Sequence, residues 1–256
     1  MNHSTSPERP TVLVTGASGG IGRAMALQFA RRGCRVAVHY RGRRAAAEAV
    51  LAALEGDGHQ VFGADLARPE EVARLWGQVT AAMGRIQVLV NNAGMFEAHP
   101  LLTTDYAAWQ SAWERTLATN LLGPANLCHW AGQAMAAAGG GRMVNISSRG
   151  AFRGEPDTPA YGASKAGLNA LSQSLALALA GQGVYCFAVA PGWVDTDMAS
   201  ASLDGPQGAA IRAQHPLGRV ASAEEVAAAA VFCALDAPAA MTGCIIDVNG
   251  ASYLRT

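Results

Sequence analysis

The sequence predicts an α/β fold: one doubly wound parallel sheet of about seven strands, with helices on both faces. Three observations predict it. Short apolar runs alternate with longer amphipathic ones along all 256 residues, half of which are hydrophobic. The strand-like runs are continuously apolar, as strands covered on both faces must be. No low-complexity, linker-like or repeated stretch divides the chain, so residues 11–256 are expected to form one domain behind a loose arm at 1–10.

Each element follows from its own pattern. Strands are expected at 11–15, 35–39, 60–63, 88–90, 142–146, 184–190 and 244–248. Helices are expected at 21–32, 45–55, from Pro69 onward, 106–138 with an interruption, 160–180 and 223–235. Pro69-Glu70-Glu71 supplies the proline and acids that suit a first helical turn. Residues 198–214, rich in Ala, Ser and Gly, read as a mobile lid. The helix at 166–180 carries Leu168, Leu171, Leu175, Leu177 and Leu179 among alanines. A helix apolar nearly all round is buried on more than one side, so a subunit partner is expected there.

Composition narrows the function. Lys and Arg number 19, as do Asp and Glu, giving a formal net charge of zero. With no long basic run, neither nucleic acid nor an acidic membrane surface is expected as the main partner. No stretch approaches the roughly 20 apolar residues of a membrane span, and the first ten lack a signal peptide's apolar core. The five cysteines are scattered with no Cys-x-x-Cys, which suggests buried thiols in a reducing cytoplasm. The six histidines show no ligand spacing, so no metal site is expected.

Chemistry concentrates in a few stretches. Lys165 is the only lysine in the chain, and it lies four residues after Tyr161 in Tyr161-Gly-Ala-Ser-Lys165. On a helix the two share a face, and a fixed cation beside a phenol favours phenolate. The pattern alone leaves an incidental surface pair open. Thr15-Gly16-Ala-Ser18-Gly19-Gly20-Ile21-Gly22 falls between the first strand and first helix, where backbone N–H groups can cradle a diphosphate. Dinucleotide folds that take NAD(H) place an acid about 20 residues later. Here that region reads His39-Tyr40-Arg41-Gly42-Arg43-Arg44, which favours NADP(H) over NAD(H), with Arg41 as the reader of the 2′-phosphate.

With these stretches and four more, the chain resembles the short-chain dehydrogenase/reductase family from Thr11 nearly to its end. Asn91-Asn92-Ala93-Gly94, Asn120 in Thr-Asn-Leu-Leu-Gly, Ser148 thirteen residues before Tyr161, and Pro191-Gly192-Trp193-Val194-Asp-Thr196 match its motifs in order. The resemblance implies a Rossmann-type fold and an oxidoreductase acting on ketones or secondary alcohols. It implies Asn120, Ser148, Tyr161 and Lys165 as the catalytic set. Tyr161 would exchange the proton, and Ser148 would hold the carbonyl oxygen. Lys165 would bind the nicotinamide ribose and lower the tyrosine pKa. Asn120 would interrupt its helix and hold a relay water, or serve as a buried structural asparagine. The coenzyme would meet Gly16, Ser18, Gly19, Gly20, Ile21 and Gly22, then Arg41, Asp65 and Leu66. Asn92, Ala93, Gly94, Tyr161, Lys165, Val194 and Thr196 would complete that set, while Asn91 would brace the sheet.

The tail, with His215-Pro-Leu-Gly-Arg219 and Val248-Asn-Gly250, resembles the beta-ketoacyl reductase branch and implies a 3-oxoacyl thioester as substrate. Sugar, polyol and steroid dehydrogenases share this signature. A catalytically idle dinucleotide-binding sensor is the alternative of a different class. The stretches 138–141 and 180–183, with only Arg142 close by, lack the cations that the resemblance implies for an acidic acyl carrier protein, so an acyl-CoA or a small free ketone is favoured over that partner. Arg149 and Arg153 are candidates for a substrate carboxylate or phosphate, against pairing with Glu155 and Asp157 or facing solvent. Trp193 either walls the pocket or packs beneath it. Relatives of this kind are often homotetramers, and a homotetramer or homodimer is expected.

Overall fold

The computed structural model describes residues 9–255. Seven strands form one parallel sheet: β1 (Thr11–Val14), β2 (Arg35–Tyr40), β3 (Gln60–Gly63), β4 (Val88–Asn91), β5 (Gly141–Ile146), β6 (Val184–Pro191) and, last in the chain, Ile245–Val248. Their spatial order is β3-β2-β1-β4-β5-β6 and then the last strand. The order reverses between β1 and β4, so the chain leaves these neighbours in opposite directions and opens a crevice at their carboxyl ends.

Helices α1 (Gly20–Arg31), α2 (Arg44–Ala52), α3 (Pro69–Met83), α4 (Tyr106–Leu117), α5 (Gly123–Ala137) and α6 (Pro159–Leu179) connect the strands. The pleat sorts the core into two layers. Val12, Val14, Val144, Ile146, Phe187 and Val189 face one side, where Met25, Phe29 and Val226 cover them. Leu13, Leu89, Met143 and Cys186 face the other, against Val72, Leu75 and Leu127. Burying side chains of this size contributes about 1.5–3 kcal/mol each. That explains why β1, β4 and β6 are apolar over most of their length.

Between α4 and α5 the helix widens into a π-helical turn, Ala118–Leu122, centred on Asn120. The expected interruption is therefore a wider turn without a break in direction. After β6 the chain leaves the sheet for a small excursion. Two-residue strands β7 (Val194–Asp195) and β8 (Ala221–Ser222) pair in parallel, and short helices α7 (Asp197–Leu203) and α8 (Gly208–Ala213) lie between them. Ala199, Leu203 and Ile211 give this excursion its own apolar cluster, with Trp193 packed against it. Ser222 and Glu225 form a capping box that starts α9 (Ala223–Val231), which packs beside α1. The last strand is β9 (Ile245–Val248).

The expected loose arm falls mostly outside the described residues, but its final two are held. Arg9 pairs with Asp57, and the Pro10 carbonyl accepts from Arg35 N–H at 2.8 Å. On α6, Leu168 is buried and Leu177 is 89% exposed, so the helix has one open apolar position. All five cysteines are free and four are buried. Among the described residues, no helix is long and apolar enough to cross a membrane.

One buried histidine ties three strands together where the crevice opens. The Gly16 N–H donates to His39 Nδ1 at 3.1 Å, and His39 Nε2 lies 3.0 Å from the Ala64 carbonyl. The proton therefore resides on Nε2. Burial lowers the pKa of this imidazole to about 4, so it remains neutral in the folded protein. Between that value and the ordinary 6.5, the unfolded chain binds a proton that the folded chain does not. Stability is thus full above pH 6.5 and is lost as pH falls toward 4, by about 2–4 kcal/mol from this residue. Urea unfolding at pH 7 and pH 4.5 is expected to show this loss in the wild type and a smaller one in His39→Gln.

Candidate active site

The turn after β1 is built from backbone. Gly16 and Gly20 have φ of +64° and +51°, left-handed conformations that glycine adopts at little cost. A Cβ on Gly22 would lie 2.3 Å from the Gly16 carbonyl oxygen, so this position has no room for a side chain. α1 then starts with no side-chain cap and no acid in its first turn. Its leading N–H groups and the positive end of its dipole are free for an anion. Glycines that admit close approach, and an uncapped helix start beside them, fit the diphosphate of a dinucleotide.

The other wall of the crevice comes from β4. Thr15 Oγ1 donates to the Val90 carbonyl at 3.2 Å and accepts from the N–H groups of Asn92 and Ala93 at 2.9 and 3.0 Å. Asn92 Nδ2 returns to the Thr15 carbonyl at 2.8 Å. Asn91 points away, donating to Asn145 Oδ1 at 2.8 Å, and Asn145 donates to Ser172 Oγ at 2.8 Å. Asn91 thus braces the sheet, as expected. Asp65 follows β3, its backbone N–H held by Glu71 at 2.7 Å and its carboxylate accepting from Ala67 N–H.

A cavity of about 480 Å³ runs along these walls. The expected turn residues Gly16, Ser18, Gly19, Gly20, Ile21 and Gly22 line it, as do Arg41, Asp65 and Leu66. So do Asn92, Ala93 and Gly94 on the β4 side, and Val194 and Thr196 on the excursion, where the Thr196 methyl lies over Gly20. At the far end stand Ser148, Arg149, Tyr161, Lys165 and Trp193. Asn120 and Arg153 do not line the cavity.

At the end of β2 the structure amends the sequence reading. Arg41 is exposed on the cavity wall, but Arg43 lies against the glycine turn, where a Cβ on Gly19 would be 3.0 Å from its Nη2. Arg43 also stands 3.9 Å from Asp197 on α7, while Arg44 turns outward to Glu48. Two guanidinium groups thus flank this end of the cavity. No acid occupies the position that would receive ribose hydroxyls.

Tyr161 and Lys165 lie on the first turns of α6, and Ser148 follows β5. Lys165 is buried and donates to the Ile146 carbonyl at 2.8 Å, and its Nζ is 5.7 Å from the centre of the Tyr161 ring. Burial lowers its pKa to about 8. Tyr161 is shifted the opposite way to expectation. Burial raises its pKa, the neighbouring Ser148 hydroxyl works against that rise, and the Glu155 carboxylate adds to it. The Lys165 ammonium, bonded at the end of β5, does not contribute to this shift.

Asn120 is completely buried behind the cavity wall. Its Oδ1 accepts from Met95 N–H at 2.8 Å, and its Nδ2 donates to the Met95 carbonyl at 3.0 Å and to Ser164 Oγ at 3.2 Å. The side chain clamps the irregular segment that leaves Gly94. A Cβ on Gly94 would lie 3.4 Å from Asn120 Oδ1 and 3.6 Å from Lys165 Nζ. Phe96, which the sequence analysis did not single out, packs edge-on to Tyr161 with centroids 4.9 Å apart and lies 6.2 Å from Trp193. The two rings roof the phenol, so Trp193 walls the pocket. Phe96 could have been flagged by its place two residues after the Asn-Asn-Ala-Gly motif.

Arg149 and Arg153 pair with neither Glu155 nor Asp157. Arg149 is 4% exposed, and both guanidinium groups donate to Gln214 Oε1, at 3.0 and 3.3 Å.

Comparison with known proteins agrees with this geometry. A family model described as Enoyl-(Acyl carrier protein) reductase matches residues 16–251. D-threitol dehydrogenase of Mycolicibacterium smegmatis is 39% identical over 245 residues, covering 95% of this chain and 92% of that protein. A 3-oxoacyl-(acyl-carrier-protein) reductase of Staphylococcus aureus is 36% identical, covering 95% and 98%. Cis-4-hydroxycyclohexanecarboxylate dehydrogenase of Sinomonas cyclohexanicum is 38% identical, covering 93% and 94%. Among solved structures, a crystal structure described as ribose-5-phosphate isomerase from Brucella melitensis superposes with a TM-score of 0.87 at 31% identity, covering 95% and 92%. The glycine turn, the Ser148–Tyr161–Lys165 set and these likenesses lead to one conclusion: the chain belongs to the short-chain dehydrogenase/reductase family, in a beta-ketoacyl reductase-like branch, and is an oxidoreductase acting on CH–OH and C=O groups using a nicotinamide dinucleotide.

Proposed function

We propose that the cavity interconverts a ketone and a secondary alcohol, with NADP(H) as coenzyme and a 3-oxoacyl compound as substrate. The observation that carries this reading is the meeting of Ser148, Tyr161 and Lys165 in the same cavity as the glycine turn. A bound nicotinamide dinucleotide supplies or accepts the hydride. The chain's own residues do the remaining work. Tyr161 gives its phenolic proton to the carbonyl oxygen in reduction and takes it back in oxidation. A phenol whose pKa is raised is fully protonated at neutral pH, which suits the reducing direction. Ser148 holds the same oxygen through its hydroxyl. Lys165, fixed beside Gly94 by its bond to β5, would hold the ribose hydroxyls. Phe96 and Trp193 keep water from the phenol. Asn120 acts as a positioning residue through Met95.

Arg41 and Arg43, in a stretch after β2 that has no acid before Glu48, support NADP(H) over NAD(H). The C-terminal resemblance supports a 3-oxoacyl compound. Arg142, the cation nearest the strand edge at 138–141, donates to the Cys233 carbonyl at 2.8 Å and lies over Tyr185 and Phe187. Spent in this way, it offers nothing to an acidic carrier protein, so a CoA thioester is the better candidate. The exposed Leu177 on α6 supports self-association as a homotetramer or homodimer.

The test is oxidation of NADPH and NADH, in parallel, with acetoacetyl-CoA. Turnover is expected mainly with NADPH and is expected to fall about 10²–10⁴-fold in Tyr161→Phe with coenzyme binding retained. Turnover mainly with NADH would overturn the coenzyme assignment and leave the catalytic one standing. The double change Arg41→Ala, Arg43→Ala is expected to reduce the preference for NADPH by about ten- to a hundredfold, measured as the ratio of kcat/KM for the two coenzymes.

A further inference from the structure

The substrate end of the cavity holds a buried positive charge with no acid paired to it. Arg149 directly follows Ser148 and lines the cavity, yet its Nη1 is buried without a hydrogen-bond partner among the described residues. Neither Arg149 nor Arg153 makes an ion pair among those residues. Both instead converge on a single neutral oxygen, Gln214 Oε1. A buried guanidinium normally claims a carboxylate, because an amide oxygen compensates only part of its lost hydration. Gln214 lies just past α8 and is exposed, so it can leave without unmaking the core.

The other groups facing this corner do not neutralise it. Glu155 packs against Gly150, where a Cβ would stand 2.8 Å from its Oε1. Burial raises the pKa of Glu155, with the two arginines acting against that rise. One acid therefore answers two cations. His215 donates from Nδ1 to the Ile211 carbonyl at 3.0 Å, burial and the Arg149 charge lower its pKa, and its Nε2 is buried without a partner. Asp157 is exposed.

We infer that Arg149 forms a carboxylate-reading subsite beside Ser148, with Gln214 as its resident stand-in and Arg153 sharing that stand-in from behind the cavity wall, so that the preferred substrates are oxo acids and the matching hydroxy acids. A carboxylate offers two coplanar acceptors to a guanidinium fork, where Gln214 offers one. Because Arg149 is next in sequence to Ser148, the carboxylate and the reacting carbonyl would be only a few bonds apart. This inference rests on the ketone–alcohol reading above and puts a free oxo acid in place of the CoA thioester as the preferred substrate.

The test compares oxo acids from pyruvate through acetoacetate to levulinate with their methyl esters, using NADPH, in wild type, Arg149→Lys and Gln214→Glu. Wild type is expected to favour one acid over its ester by about tenfold or more in kcat/KM. In Gln214→Glu an internal carboxylate occupies the arginines, and the ratio is expected to fall toward one. Gln214 is exposed, so this variant reports on the subsite even where Arg149→Lys does not fold. Calorimetry with the same acid, coenzyme present, reads binding apart from turnover. A wild-type ratio near one, or a ratio that Gln214→Glu leaves unchanged, overturns the subsite while the ketone–alcohol reading stands. Inorganic phosphate binding as tightly as the acid would overturn its assignment to carboxylates. Should no ketone turn over, the activity reading falls and calorimetry decides: acid binding lost in Gln214→Glu supports the subsite, and no acid binding overturns it.

Discussion

One hydroxyl group holds the crevice in shape. At the point where the chain leaves β1 and β4 in opposite directions, the ladder ends with Thr15 N–H donating to the Val90 carbonyl at 3.0 Å, and a side chain extends the joint past it. Thr15 Oγ1 does so by bonding to Val90, Asn92 and Ala93 at once. The glycine turn on one side and Gly94 on the other take their positions from that joint. Met95 comes next and is clamped by Asn120, and Asn120 in turn meets Ser164 on the helix that carries Tyr161 and Lys165. The two halves of the site are therefore linked by a short chain of buried hydrogen bonds, each costly to leave unmade.

Much of this was legible in the sequence. Strands covered on both faces are apolar over most of their length, so their runs stood out and their ends fell within one or two residues of the observed ones. The interruption near Asn120 was legible as well. What the sequence did not reveal has a common cause, namely contacts made across long separations. His39 looked like an ordinary strand residue because its partners, Gly16 and Ala64, lie 23 and 25 positions away. The spacing of Tyr161 and Lys165 correctly placed them on one face, but it could not show that the ammonium bonds to Ile146, 19 positions back, or that burial raises the phenol's pKa. The Ala-, Ser- and Gly-rich excursion gave too weak a periodicity to show α7, α8 or the two-residue strands flanking them. Arg43 was passed over for Arg41 because the sequence does not say which of two nearby side chains folds back onto the turn.

The two buried cations of the site differ in kind. Lys165 is compact and well served by one carbonyl, whereas Arg149 is broad and keeps an unmet donor. Both stand in the cavity wall near Tyr161, with Glu155 the nearby acid that raises the phenol's pKa. In a low-dielectric setting each of these charges acts on its neighbours more strongly than it would in water. Burial, which makes these charges costly to fold, is also what makes them effective.

The contrast between the glycine turn and the arginines beside it bears on how such an enzyme can diverge. The turn is locked: Gly22 has no room even for a methyl group, and Gly16 and Gly20 hold backbone angles other residues resist. Arg41 and Arg43 are exposed on a loop with no core beneath their side chains. A lineage can therefore redraw which cellular pool of reducing power it taps by changing two surface codons. The part that grips the shared diphosphate stays frozen, and so does the machinery that handles the substrate's proton.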